Sequence, residues 1–254
     1  MEQDHFMSEA IKIVEAGEKE GIKLRIMGAL AIKHHCPNCS HIHESLDRQF
    51  TDIDFAASSK QEKQIKKLLD RFGYRQKARG ISRAYNPKGR LILHHETTDL
   101  VADVFFDKLD MCHSFNFHLD MDYPTIPLVD LVLEKLQIVK ITEKDVKDVL
   151  VMLLEHEIGS GDKEKIDANL IADLVANDWG FYYTITTNLD KLKRIAQSDM
   201  FKDVLNAPDR EVIIQKVDSI QEIIEQKPKS RKWKMRAKIG PKSKWYKEVH
   251  TVHY

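Results

Sequence analysis

The hydrophobic period of this chain changes once, near Pro127, and that change limits the fold more than any single motif does. Up to that point, short alternating runs stand between helical stretches. From Leu128 onward, Leu128, Leu131, Val132, Leu136 and Val139 mark an apolar stripe at 3.6-residue spacing, and the same spacing recurs to residue 225. Such a chain reads as α+β, a mixed sheet with flanking helices followed by a helical half. The boundary falls within residues 120–127 and gives three parts, 1–125, 126–226 and 227–254.

The first part holds helices over 8–19, through Ile11, Val14 and Ala16, over 29–35 after Gly28, and over 60–72 with Ile65, Leu68 and Leu69. Strands are expected over 22–26, where Ile22, Leu24 and Ile26 alternate with Lys23 and Arg25, and over 50–56. Residues 90–95 and 100–106 form an antiparallel hairpin around Glu96-Thr97-Thr98-Asp99. Residues 36–49 are polar and irregular. The helical part continues over 142–156, 166–176, 182–196 and 210–225. Residues 232–239 and 244–252 flank Gly240-Pro241 and read as a basic C-terminal hairpin or tail.

With 254 residues, 42% of them hydrophobic, the chain can bury its cores without covalent staples. Cys36, Cys39 and Cys112 are too few and odd in number for a disulfide framework, and neither a signal-type apolar segment nor a run of roughly 20 apolar residues occurs. A cytoplasmic protein with no membrane partner is expected. The formal net charge of zero hides a polarity: residues 227–247 carry ten Lys or Arg and no acid, against 30 bases and 39 acids in 1–226. That segment suits a polyanion such as RNA, with Trp233, Trp245 and Tyr246 for base stacking, or equally an acidic face of the protein itself.

Thr51-Asp52-Ile53-Asp54-Phe55 places two carboxylates on one strand face while Ile53 and Phe55 enter the core. Asp103, in Val101-Ala102-Asp103-Val104-Phe105-Phe106, sits in an apolar strand where burial demands a cation. If these strands are neighbours, Asp52, Asp54 and Asp103 converge as hard oxygen ligands for Mg²⁺ or Mn²⁺. The ordered set of a strand, the turn Gly28-Ala29 opening a helix, Asp-x-Asp and a later strand Asp resembles the nucleotidyltransferase superfamily over residues 8–156. It is most similar to the minimal prokaryotic branch that includes toxin-type relatives. The resemblance implies a nucleotidyltransferase-like sheet in residues 1–125, with Asp52, Asp54 and Asp103 as catalytic metal ligands. It also implies an NTP such as ATP held by Gly28, Ala29 and Lys135, and transfer of NMP to an acceptor, with RNA slightly favoured over a protein or small molecule. The chain departs from that pattern in having Ala after the turn glycine and a longer gap before Asp52.

Other features read more blandly. Cys36, Cys39, His41 and His43 could ligate zinc, but one short loop seldom supplies all four ligands. Lys135 has a surface-lysine alternative. Asp145 fits a helix-capping box with Thr142 and stays outside the catalytic set. The competing function is a non-catalytic nucleic-acid-binding or antitoxin-like module with a degenerate site.

Overall fold

The protein is seen in a computed structural model that describes residues 2–39, 52–76, 89–198, 201 and 204–249. His41, His43 and most of the expected 36–49 loop lie outside the described residues. The chain divides into two compact units, unit 1 from residues 1–34, 48–109 and 116–127, and unit 2 from 35–47, 110–115 and 128–254.

Unit 1 is built on a five-stranded mixed sheet in the order β1-β2-β5-β4-β3, comprising β1 Leu24–Ile26, β2 Ile53–Ala57, β3 Tyr74–Arg75, β4 Arg90–His95 and β5 Val101–Phe106. β2 and β5 run parallel; the other pairs are antiparallel. Alternation separates the two faces cleanly. Ile53, Phe55, Leu91, Leu93, Val104 and Tyr74 form a buried face, which packs with α1 (Glu2–Lys19) and α3 (Glu62–Arg71). The buried stripe of α1 is Ala10, Ile13, Val14 and Gly17, whereas the expected Ile11 and Ala16 are only half-buried. The reason is the approach of α3: a Cβ at Gly17 would come within 3.1 Å of Leu68 Cδ2. The opposite face carries Arg25, Asp54, Arg90, Ile92 and Asp103. Residues 119–126 close the outer edge of β1, where Ile26 N donates to Pro124 O (3.0 Å), Ile126 N to Ile26 O (2.9 Å), and Arg25 Nε to Asp122 O (2.9 Å).

Short strands β6 (Lys108–Asp110) and β7 (Ser114–Asn116) pair with each other. Unit 2 contains α4 (Leu128–Leu136), α5 (Glu143–Glu155), the pair β8 (Glu157–Ile158) and β9 (Lys165–Ile166), α6 (Ala168–Val175), α7 (Trp179–Gln197), α8 (Ala207–Gln226) and α9 (Arg231–Ile239). Every residue of α4 is buried, as befits a helix at the centre of a bundle. α8 packs against α5, α6 and α7. α4 stops at Leu136, short of the expected Val139, where Asn188 Nδ2 donates to Leu136 O (2.8 Å) and Ile138 O (2.9 Å). Thr142 and Asp145 form the capping box that opens α5: Thr142 N donates to Asp145 Oδ2 (3.1 Å) and Asp145 N to Thr142 Oγ1 (3.4 Å).

The basic hairpin expected around Gly240-Pro241 is corrected by the structure. Residues 231–239 form α9, a single 3-10 turn follows at Gly240–Lys242, and residues 244–249 form no strand. The alternation of cations with Trp233, Met235, Ala237 and Ile239 imitates a strand, but Lys, Arg, Met and Ala are good helix formers. Ser230 caps the start through Trp233 N (3.2 Å), and Gly240 at φ 63° ends the helix. Among the described residues no helix is long and apolar enough to cross a membrane.

Candidate active site

The polar face of the sheet brings together residues that are far apart in sequence. β2 and β5 pair in parallel with Asp54 directly opposite Asp103, so both carboxylates leave the same face, one strand spacing of about 4.8 Å apart at the backbone. Asp103 is fully buried and Asp54 half-buried. Asp52, also half-buried, immediately precedes β2; where the chain stays extended it shares the face of Asp54.

Like charges directly opposite on neighbouring strands repel, so this pairing needs a cation. One is supplied by Arg90 of β4. Its Nε lies 2.7 Å from Asp103 Oδ1 and 2.9 Å from Oδ2, and its Nη2 also donates to Oδ2. The guanidinium carbon sits 4.6 Å from the centre of the Phe105 ring, which fixes the fork over the carboxylate. Arg90 was absent from the expected site. Its signal lay in the hairpin: the 96–99 turn sets Ile92 opposite Asp103 and Arg90 opposite Phe105, which puts Arg90 on the diagonal from Asp103.

The glycine turn lies against the same acids. Gly28 has φ 68°, a left-handed conformation that favours glycine, and a Cβ there would fall 2.6 Å from Asp54 Oδ2. Met27 N donates to Asp54 O (2.9 Å), tying the end of the β1 segment to β2. α2 (Gly28–His35) therefore begins beside the Asp54 carboxylate, with Ala29 half-buried and no acidic residue in its first turn. A helix N-terminus so placed favours an anion.

The other nearby acids have separate tasks. Asp99 lies in the hairpin turn. Asp107 follows β5; hydrogen bonds from the Ser59 side chain and then from Ser59 N (3.0 Å), with a smaller one from Ser58, hold its carboxyl below the usual range against the opposing effect of burial. Lys135 is in unit 2 and is buried, 7% exposed, rather than a solvated surface lysine. Its Nζ lies 2.9 Å from Glu134 Oε1 and 3.3 Å from Asp148 Oδ2. Cys36, Cys39 and Cys112 are free thiols, and burial pushes Cys36 up strongly and Cys39 up to about 12.

Among the described residues, no three His, Cys, Asp or Glu side chains are arranged to hold a metal ion by themselves. The donor chemistry still suits Mg²⁺, which takes one or two protein carboxylates and completes its shell with water and phosphate oxygens. Asp54 and Asp103 on one face meet that smaller requirement.

No protein-family model and no curated protein sequence matches the chain. Among solved structures, the solution structure of the antibiotic-resistance factor ANT(2'')-Ia is similar at 11% identity, over 89% of this chain and 97% of that chain, with a TM-score of 0.38. A likeness at that score decides neither fold nor chemistry.

Proposed function

We propose that the protein is a metal-dependent nucleotidyltransferase that moves a nucleoside monophosphate from an NTP to an acceptor hydroxyl. The observation that carries this reading is the in-register pairing of Asp54 with Asp103 beside the Gly28 backbone. Asp52, Asp54 and Asp103 supply hard oxygen donors of the kind that a divalent cation takes.

In this reading residues 1–125 form the catalytic domain, 126–226 a helical domain and 227–254 a basic aromatic tail. Asp54 and Asp103, with Asp52 beside them, would hold Mg²⁺ or Mn²⁺, which when bound would supply Lewis-acid polarisation of the phosphoryl oxygens. Arg90 fixes the orientation of Asp103, and Asp103 stands nearest the acceptor hydroxyl. The Gly28 and Ala29 amides, at the N-terminus of α2, receive phosphate oxygens. Lys135 is the candidate cation from the helical domain, but it would have to leave Glu134 and Asp148 to reach a triphosphate. RNA is the favoured acceptor because of the basic segment, and the three free thiols fit a cytoplasmic setting.

The test is incubation with each α-labelled NTP and total RNA. Label should pass to an acceptor with the wild type and not with Asp52→Ala/Asp54→Ala; transfer by the double variant would end the proposal.

One observation favours a second reading, a non-catalytic nucleic-acid-binding module. Arg90 already neutralises Asp103, so that carboxylate can serve folding alone. Titration calorimetry with ATP, CTP, GTP and UTP separates the two: nucleotide heat that depends on Mg²⁺ supports the enzyme, and its absence for all four supports the module.

A further inference from the structure

Unit 2 contains a cleft of about 440 Å³, lined by none of the residues proposed for nucleotidyl transfer. One wall is α9, contributing Lys232, Trp233 and Arg236; another is the segment Lys244-Trp245-Tyr246-Lys247; Trp179 and Gly180, at the start of α7, complete it. All three tryptophans of the chain line this one cleft. They come from separate stretches of sequence, so their convergence is a product of the fold.

The cleft is a built feature. Trp245 Nε1 donates to Thr184 Oγ1 (3.0 Å) and Lys247 N to Cys112 O (3.0 Å), which anchors the 244–247 segment. Gly180 permits that approach, since a Cβ there would lie 2.5 Å from Trp245 O. The aromatic rings form a connected set: Trp179 stacks on Tyr183 at 5.1 Å, Tyr183 meets Trp245 edge-on at 5.0 Å, and Trp245 meets Tyr246 at 5.2 Å. Arg236 lies 4.7 Å from the Trp179 ring centre and donates to Gly240 O and Ser243 O, which holds the end of α9 against the wall. Among the described residues the indole N–H of Trp233 is buried in the cleft wall without a hydrogen-bond partner.

The charge is strongly one-sided. Four cations, Lys232, Arg236, Lys244 and Lys247, line the cleft against one carboxylate, Asp178, which is engaged as the N-cap of α7 through Phe181 N (3.1 Å). Lys244 and Lys247 also pair with the exposed Glu248 and with Asp110. Lys232 makes no ion pair among the described residues, and neither do Arg231, Lys234, Lys238 and Lys242 beyond the cleft.

We propose that this cleft captures one nucleobase of a single-stranded nucleic acid while the cations of α9 and the following turn track its phosphates. The volume suits one planar base with its sugar. Stacking surfaces interleaved with cations are the recognition chemistry of unpaired strands, and a duplex cannot insert a base without opening. Unpaired cations beyond the cleft argue for a polymer of phosphates over a free nucleotide. The inference does not depend on the catalytic reading, because strand binding is measured without NTP or metal and can stand or fall alone.

The test is titration of the full-length protein with a 12-nucleotide oligouridylate, followed by intrinsic tryptophan fluorescence, which here reports on the cleft alone. The strand should quench the emission. Lys232→Glu/Lys244→Glu should weaken binding by about tenfold or more, while the matched pair Lys63→Glu/Lys67→Glu on α3 should change it less than about threefold. Lys232→Gln/Lys244→Gln should lower the slope of log K against log salt by about 1.4, two phosphate contacts at roughly 0.7 each. Trp233→Leu, which keeps an apolar side chain, should weaken the strand with the thermal midpoint checked by circular dichroism. The proposal is overturned by an absence of quenching, by equal loss in the two charge-reversal pairs, or by equal affinity for a 12-base-pair RNA duplex, polyglutamate or phosphatidylserine vesicles.

Discussion

Asp103 in the sheet and Asp148 in the helical unit are both fully buried carboxylates paired with a cation, yet their surroundings differ in kind. Asp148 shares Lys135 with Glu134 inside the helical unit. Asp103 has Arg90, but it also faces a second acid, Asp54, across one strand spacing, with a glycine backbone pressed against that acid. A buried ion pair is by itself weak evidence for chemistry, since structural pairs are common and often add little net stability. Glu134 and Asp148 flank one lysine; at Asp103 the second acid instead stands in register on the neighbouring strand. It adds repulsion that folding does not need, and a glycine at positive φ keeps open the space beside it. The contrast supports the chemistry proposed for the first site and a folding role for the ion pairs of the second.

The largest effect that could break this contrast belongs to Asp54→Asn. Nucleotidyl transfer should fall by on the order of 10³-fold, several kcal/mol of lost transition-state stabilisation, with little change in the thermal midpoint. Retained transfer, or an activity loss that tracks a fall in stability, would place Asp54 with Asp148 among the structural acids.

Next comes Lys135→Met, which removes the cation that lies between Glu134 and Asp148. Urea unfolding should show a loss of about 3 kcal/mol. Should stability hold while the KM for NTP rises, Lys135 reaches the nucleotide and the division between the two sites disappears.

A further structural group of unit 2 can be read through pH. His113 stacks on Phe181 at 4.7 Å and its Nε2 lies 2.8 Å from Thr184 Oγ1. Burial pulls its pKa down from 6.5 to about 4, helped by the Lys247 charge and opposed by Asp178. Between these values the unfolded chain binds the proton and the folded one does not. The stabilisation is therefore complete above pH 6.5 and drains away as pH falls towards 4, by roughly 2–3 kcal/mol. Urea midpoints across that window should fall for the wild type and stay flatter for His113→Gln; parallel profiles would remove His113 as the cause.

The smallest effect sharpens the site itself. Gly28→Ala must adopt a left-handed backbone at a cost of about 1–2 kcal/mol. Its Cβ also drives the Asp54 carboxylate aside, so transfer should drop by more than the stability loss explains. If the two decline together, Gly28 serves only the turn.

Part of this architecture was legible residue by residue. The alternation around Ile53 and Phe55 placed both of them in the core. The 96–99 turn fixed the β4–β5 register, and Thr142 with Asp145 marked the start of α5. Each of these is decided within a few residues, by side-chain alternation, turn geometry or a cap, and so it survives whatever the rest of the chain does.

Other features had no local signature. That β2 lies beside β5, bringing Asp54 to Asp103, depends on strand order, which is set by burial summed over the whole of unit 1. The same holds for the shift of the α1 stripe to Gly17, for the burial of Lys135, and for the helix in place of a hairpin at 231–239. The meeting of Trp179, Trp233 and Trp245 is the plainest instance. Sequence alone determined what each short segment could be, because local geometry is cheap to satisfy locally; only tertiary structure decided which charges and rings became neighbours, because non-local contacts form where the packed whole is most stable.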